Sequence, residues 1–330
     1  MRATRRGLWL ARVRRDAGAA RARGAVLALF HDFAPPPAGG AHQSLRAVVG
    51  ELGRRGIAVE INAVSPAARA ILFNSFNFDA GRLEWFASRA SDECRLVHRV
   101  GAVTSLYRGY DDGTDARVAE LNRRFADATI AISHATVDMY RSIGVELVEP
   151  RVIYNGTDPE IFHARGRTPF ARDRRTRVVA VSWSDNPRKG GPFYRWLERN
   201  LDWTRYDLTY VGNTQEAFER ATVVPPLPSR ELATLLRTQD VFVTATEHDA
   251  YSNALVEALC CGLPAIYLKS GGSAEAVKEA GFGFTDWNEV PALLDRLQDE
   301  YEERQSLISL PSLAEVTDEY LRALGLEDLT

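Results

Sequence analysis

Five short apolar runs in the first half of the chain alternate with amphipathic segments: "AVLALFHDF" (25–33), "IAVEINAV" (57–64), "RLVHRV" (95–100), "ATIAIS" (128–133) and "RVIYN" (151–155). No other feature narrows the fold as much. Strands alternating with helices build a parallel sheet covered on both faces. The segment after the first run places Leu45, Val48, Val49 and Leu52 on one helical face. The pattern then restarts with "RVVAVSWS" (177–184), "DLTYVGN" (207–213), "ATVVPPL" (221–227), "DVFVTAT" (240–246) and "LPAIYLK" (263–269). The expected architecture is therefore two doubly wound α/β domains, 25–165 and 173–310, facing each other across a cleft. The polar stretch "ARGRTPFARDRRT" (164–176) reads as the linker, with little to bury. Helices are expected near 291–304 and 311–324, and the last, within 311–330, is expected to pack back on the first domain.

Charge separates the start from the body. Residues 1–23 hold eight Arg and one Asp, whereas the whole chain is −3, so the body is negative. That excludes nucleic acid as the main partner. The tail of residues 1–24 has two readings. One is a disordered or misassigned start; the other is a peripheral contact with anionic lipid, inserting Leu8, Trp9, Leu10 and Val13. Three cysteines, two of them adjacent, with no zinc spacing, suit reduced thiols in the cytoplasm. Of 41 basic Lys and Arg residues only Lys189, Lys269 and Lys278 are lysines.

The most informative stretch is "TEHDAYSNALVEALCCGLPAIYLKSGG" (246–272). A strand ends, a polar loop follows, and Ser252 or Asn253 caps a helix that Gly262 and Pro264 stop. Free N–H groups at Asn253, Ala254 and Leu255, with the helix dipole, make an anion site facing the cleft. Asp249 stands before the helix and Glu257 one turn inside it. The eight residues between them rise at most about 12 Å, so the two acids can address opposite ends of one ligand. Taken singly, Glu257 is a solvated helix residue and Asp249 a loop cap.

"DAYSNALVEALCCGLPAI" resembles the signature of retaining glycosyltransferases of family 4, which have the GT-B fold: two Rossmann-like domains across a cleft. The resemblance implies that Glu257 meets the ribose hydroxyls of a nucleotide-sugar donor and Asp249 the transferred sugar. Asp249 stands where the family has Glu, and Glu247 is a substitute two residues earlier. "VSWSDNPRKGG" is similar to the family's diphosphate-gripping loop. Lys189 fits its Lys, Ser184 occupies its Arg position, and Arg188 is the neighbour that would supply the missing charge. Gly39 and Gly40 match the glycine loop that faces the diphosphate. His98, ending its strand, would sit beside the transferred sugar, with His31 and His42 as neighbours. "KSGGSAEAV" resembles the late loop in which Gly271, Gly272 and Ser273 offer amides to the donor, with Glu275 nearby.

The resemblance implies metal-independent, cofactor-free transfer of a sugar from a nucleoside-diphosphate sugar to an acceptor hydroxyl, with retention. A polysaccharide, lipid-linked glycan or natural product is the expected acceptor, and Ser252 to Leu255 the diphosphate anchor. Two other readings stand beside it: a non-catalytic nucleotide-sugar-binding protein of the same shape, and a GT-B nucleotide-sugar epimerase.

Overall fold

A computed structural model describes residues 2–35 and 40–330. The first domain holds β1 (Leu27–Phe30), β2 (Val59–Ile61), β3 (Ala70–Asn74), β4 (Arg95–Val100), β5 (Ala128–Ala131) and β6 (Pro150–Val152). These strands are all parallel, in the order β2-β1-β3-β4-β5-β6. Its helices are α1 (Arg2–Arg23), α2 (Gly40–Arg54), α3 (Ala80–Ala87), α4 (Thr104–Arg108), α5 (Thr114–Phe125) and α6 (His134–Ser142).

The second domain holds β7 (Thr176–Ser182), β8 (Tyr206–Gly212), β9 (Thr222–Val224), β10 (Val241–Thr244), β11 (Ala265–Leu268) and β12 (Gly281–Phe284). Its order, β12-β11-β10-β7-β8-β9, is again wholly parallel. Around it lie α7 (Gly191–Asn200), α8 (Ser229–Leu236), α9 (Asn253–Cys260), α10 (Ser273–Val277), α11 (Val290–Asp299) and α12 (Tyr301–Ser306). The chain order reverses between β1 and β3 in one sheet and between β7 and β10 in the other. Ligands of open α/β sheets bind outside the carboxyl ends of strands at such switch points.

Two strands escape the sequence reading. β3 is a run of five buried residues, too short to show a period. β12, "GFGF", carries glycines that usually argue against a strand. Gly281 is required there: a Cβ on it would lie 1.8 Å from the Ala265 carbonyl oxygen. The expected helix near 291–304 is two, α11 and α12, breaking at Glu300.

The arginine-rich stretch 164–176 does more than link. Asp240, wholly buried, takes Arg174 at 2.6 and 2.9 Å, and Arg177 through its backbone N–H at 2.8 Å and its side chain at 3.2 Å. Phe170 stacks on Tyr301 at 3.9 Å, and Arg167 donates to the Tyr301 hydroxyl. The arginines are anchors that seat the crossover on the second domain.

α13 (Leu313–Ala323) returns to the first domain. Its Leu313, Val316, Tyr320 and Leu321 share a core with Leu27, Leu29, Leu45 and Val48. α1 also lies on that domain. Val13 is buried among Phe30, Phe78, Leu83 and Phe86, Trp9 donates to Asp79, and Asp16 pairs with Arg82. Of the four side chains expected to insert into lipid, Leu8 is exposed, while Val13 and Trp9 are spent on the protein's own core.

Burial opposes ionisation of Asp240, yet its two arginines outweigh that and hold its pKa below the ordinary 3.8. Its stabilisation is therefore complete above that value and is lost as pH falls through the lower folded pKa. Asp240→Asn leaves two arginines facing a neutral amide. We expect a loss of about 3 kcal/mol, read from denaturant unfolding at pH 7.

Candidate active site

The site is assembled from two loops at the β7/β10 switch point and from the start of α2 across the cleft. After β7, Asn186 caps a single turn of 3₁₀ helix (Pro187–Lys189), its Oδ1 accepting from the Arg188 N–H at 3.0 Å. Gly190, at φ +94°, ends the turn. Lys189 is thereby aimed at the loop after β10, and its Nζ donates to Asp249 Oδ2 at 2.8 Å. Lys189, expected on the diphosphate, and Asp249, expected on the transferred sugar, are thus paired with each other.

The acid loop is held by backbone. The Asp249 carbonyl accepts from Gly272 N–H at 2.8 Å, and a Cβ on Gly272 would lie 2.0 Å from the Ala250 carbonyl oxygen. Ser133 Oγ, from the first domain, donates to that same Ala250 carbonyl at 2.6 Å. Only glycine permits such stacking of one loop on another. The Gly272 amide is accordingly spent inside the protein, against its expected role toward a donor. Glu275 likewise serves structure: its carboxylate accepts from the N–H groups of His134 and Ala135, capping α6, and from Tyr154.

At α9, Ser252 is the cap, and its Oγ accepts from Leu255 N–H at 3.5 Å. Leu255 is thus removed from the expected set of free donors and is fully buried. The N–H groups of Asn253 and Ala254 meet no acceptor among the described residues. The Asn253 side chain bridges the domains: its Nδ2 donates to the Gly40 carbonyl, and its Oδ1 accepts from Asn155 Nδ2 at 2.8 Å. A Cβ on Gly40 would stand 2.8 Å from Asn253 Nδ2. The starts of α2 and α9 therefore meet head to head across the cleft. Gly39 lies outside the described residues.

Glu257 is no solvated helix residue. It is 8% exposed, and no described residue hydrogen-bonds to its carboxyl or pairs with it. Burial alone pushes its pKa up to about 8. Two adjoining cavities, of about 230 and 110 Å³, meet at Glu257, Asn253, Gln43 and Ser229. The smaller has a largely apolar wall of Val181, Trp183, Val211 and Leu227. The larger adds Ser44 and Arg46 of α2, with Thr157 and Asp158 of the crossover. A larger cavity still, about 520 Å³, lies away from this site, between α1 and α3.

Three further expectations change. Arg188 reaches the Leu106 carbonyl of α4 and lies 3.9 Å from Glu247, so its guanidinium braces the two domains. The Ser184 hydroxyl accepts from Asn186 N–H at 3.2 Å and shapes the turn. His98 is fully buried in β4, stacked on Phe73 at 4.3 Å. Its Nε2 donates to the Ser75 carbonyl and its Nδ1 accepts from Asn122, and burial drives its pKa down to about 3. With both nitrogens engaged in the core, His98 does not face the cleft. Residues that sequence reasoning passed over are Asn155, Gln43 and Tyr107, whose ring lies 5.5 Å from Lys189 Nζ. The first of them sits in "YNG", a composition that a plain turn also favours.

Two parallel six-stranded sheets with flanking helices, opposed across this cleft, define the GT-B fold. Residues 216–309 match the family model described as glycosyl transferases group 1. No curated protein matches the chain. Among solved structures, the chain is similar to sucrose-phosphate synthase from Thermosynechococcus elongatus, with TM-score 0.66 and 17% identity over 90% of this chain and 94% of that one. It is also similar to HepE from Anabaena in complex with UDP-glucose, with TM-score 0.62 and 16% identity over 92% and 96%. The catalytic domain of starch synthase IV from Arabidopsis thaliana, bound to ADP and acarbose, aligns with TM-score 0.66 and 12% identity over 92% and 99%.

A carboxyl raised from 4.5 to about 8 stays protonated in the folded chain where the unfolded chain has ionised. Stability therefore falls as pH rises from the unfolded value through the folded one. Glu257→Gln removes that dependence. We expect its melting temperature to exceed wild type at pH 8.5 and the gap to close by pH 5, as read by calorimetric melting across pH.

Proposed function

We propose that the chain is a retaining, metal-independent glycosyltransferase that moves a sugar from a nucleoside-diphosphate sugar to an acceptor hydroxyl. The observation that carries this reading is Glu257, a buried carboxyl opening on a cavity one helical turn from the Asn253 and Ala254 amides, none of the three with a partner among the described residues. A ribose diol supplies the hydrogen bonds that carboxyl lacks, and the amides of Asn253 and Ala254 hold the diphosphate. The apolar wall beside Trp183 takes the base. Support comes also from the neighbours whose descriptions include UDP-glucose and ADP.

On donor binding Lys189 exchanges Asp249 for the diphosphate, and the freed Asp249 turns to the transferred sugar. The anomeric C–O bond breaks with its electron pair leaving on the diphosphate, where Lys189 and the α9 amides stabilise the charge. The acceptor oxygen bonds the anomeric carbon on the same face, and its proton passes to the departing phosphate oxygen. Closure of the cleft excludes water. The acceptor is a polysaccharide, lipid-linked glycan or natural product, met in the cytoplasm. The exposed arginines Arg12, Arg14 and Arg15 of α1 suit a peripheral contact with an anionic membrane surface. No helix of the described residues is long and apolar enough to cross a membrane.

One observation favours a second reading, a nucleotide-sugar-binding protein without turnover: the Lys189–Asp249 pair leaves the cation already compensated. A thermal-shift screen of UDP-, GDP-, ADP- and dTDP-sugars, followed by transfer assays, separates the two, since binding without turnover marks the second. Donor incubated alone exposes an epimerase by its isomerised sugar.

For the transferase, Lys189→Ala is expected to lower kcat about 10²–10³-fold with the fold intact by circular dichroism. A chelator should leave the rate unchanged; a rate abolished by chelation and restored by divalent metal would overturn the metal-independent mechanism. Donor affinity should rise between pH 6 and 8.5 as ionised Glu257 accepts from the ribose, and Glu257→Gln should flatten that profile in calorimetric titration with a nucleotide sugar.

A further inference from the structure

The first domain contributes a site of its own at the switch point between β1 and β3. Arg99, at the end of β4, is 1% exposed, and its guanidinium hydrogen-bonds to neutral acceptors: Asn74 Oδ1 at 2.6 Å, Asn155 Oδ1 at 2.6 Å and Tyr320 Oη at 2.8 Å. Because Arg99 can only donate, it fixes which atom of each Asn is oxygen. Asn74 Nδ2 must then donate to His31 Nδ1, at 3.2 Å. His31 Nε2 lies 2.9 Å from His42 Nδ1, and that same nitrogen of His42 faces the backbone N–H of Ala34 at 3.3 Å. A backbone amide cannot accept, so His42 Nδ1 is the acceptor of both. The proton of neutral His42 therefore resides on Nε2. Among the described residues, Nε2 has no partner.

Every bond in this series runs outward, from a buried cation to an N–H in the first turn of α2. A parallel series, from Arg99 through Asn155, ends on Asn253 at the start of α9. The two meet where Asn253 donates to the Gly40 carbonyl, two residues before His42. Directional donation of this kind strengthens the terminal donor. Burial, and secondarily the Arg46 charge, lower the His42 pKa, so the ring presents a neutral donor without adding a charge that the first turn of a helix would oppose.

We propose that His42 Nε2–H donates to a phosphate oxygen of the donor diphosphate, held in that tautomer by the positioning residues Arg99, Asn74 and His31. This rests on the nucleotide-sugar reading above. It moves His42, expected only as a neighbour of His98 beside the transferred sugar, onto the diphosphate.

The experiment joins a structural readout to a binding one. Nitrogen-15 spectra of the histidine rings, with His42 assigned by its loss in His42→Gln, should show Nε2 protonated and Nδ1 bare at pH 7.5. Calorimetric titration with UDP, GDP and ADP then identifies the diphosphate bound by wild type. Against it, His42→Phe should bind about tenfold more weakly or worse, the loss of one donor to a charged oxygen. His42→Gln, whose amide can place an N–H near the same point, should stay within about threefold. Asn74→Ala should shift the His42 tautomer toward a mixture. A proton found on His42 Nδ1, or wild-type affinity in folded His42→Phe, overturns the proposal while leaving the donor site standing. Binding of no nucleoside diphosphate by wild type overturns the functional reading and this proposal with it.

Discussion

A guanidinium buried with no carboxylate partner among the described residues organises this molecule. Removing a charge from water is tolerated when hydrogen bonds replace the solvent, and Arg99 obtains them from an asparagine of β3, an asparagine of the crossover and a tyrosine of the returning helix. Those three acceptors belong to three parts of the chain far apart in sequence. One side chain thereby fixes the carboxyl ends of the first sheet, the path between the domains and the seat of α13. Because every acceptor is neutral, the positive charge is not cancelled locally, and it stands close to the joint of two helix starts.

Repetition made the fold legible. Ten apolar runs named ten of the twelve strands of the described residues, and the two that were missed were a five-residue buried strand and one built on glycines. Periodicity needs length and side chains: β3 is short and buried throughout, and β12 is an edge strand in which glycine alternates with phenylalanine, laid along β11. The register at Gly281 is written in a missing Cβ, which acquires meaning only when Ala265 is beside it.

The site was legible in part. The helix cap, expected at Ser252 or Asn253, falls on Ser252, and both loops lie where sheet topology predicts a ligand. What the sequence could not supply is partnership. Nothing in "SGG" says that its amide is spent on Asp249, nor in "LVHRV" that the histidine turns into the core while the arginine beside it builds the network. Burial acts in the opposite sense at Glu257, giving an ordinary-looking helix carboxyl the pKa of a much weaker acid. Such assignments depend on contacts across roughly 20 to 220 positions of chain, as His98 to Ser75 and Arg99 to Tyr320 illustrate.

The ion pair between Lys189 and Asp249 has a consequence for how a charged molecule arrives. At rest the ammonium is matched at 2.8 Å by an opposite charge, so the mouth of the cleft projects a dipole whose field dies away faster than that of a lone cation. Long-range attraction of stray anions is weak, and encounter rates should respond little to ionic strength. Selectivity is then exerted at contact, by whichever ligand can separate the two charges and satisfy both of them at once.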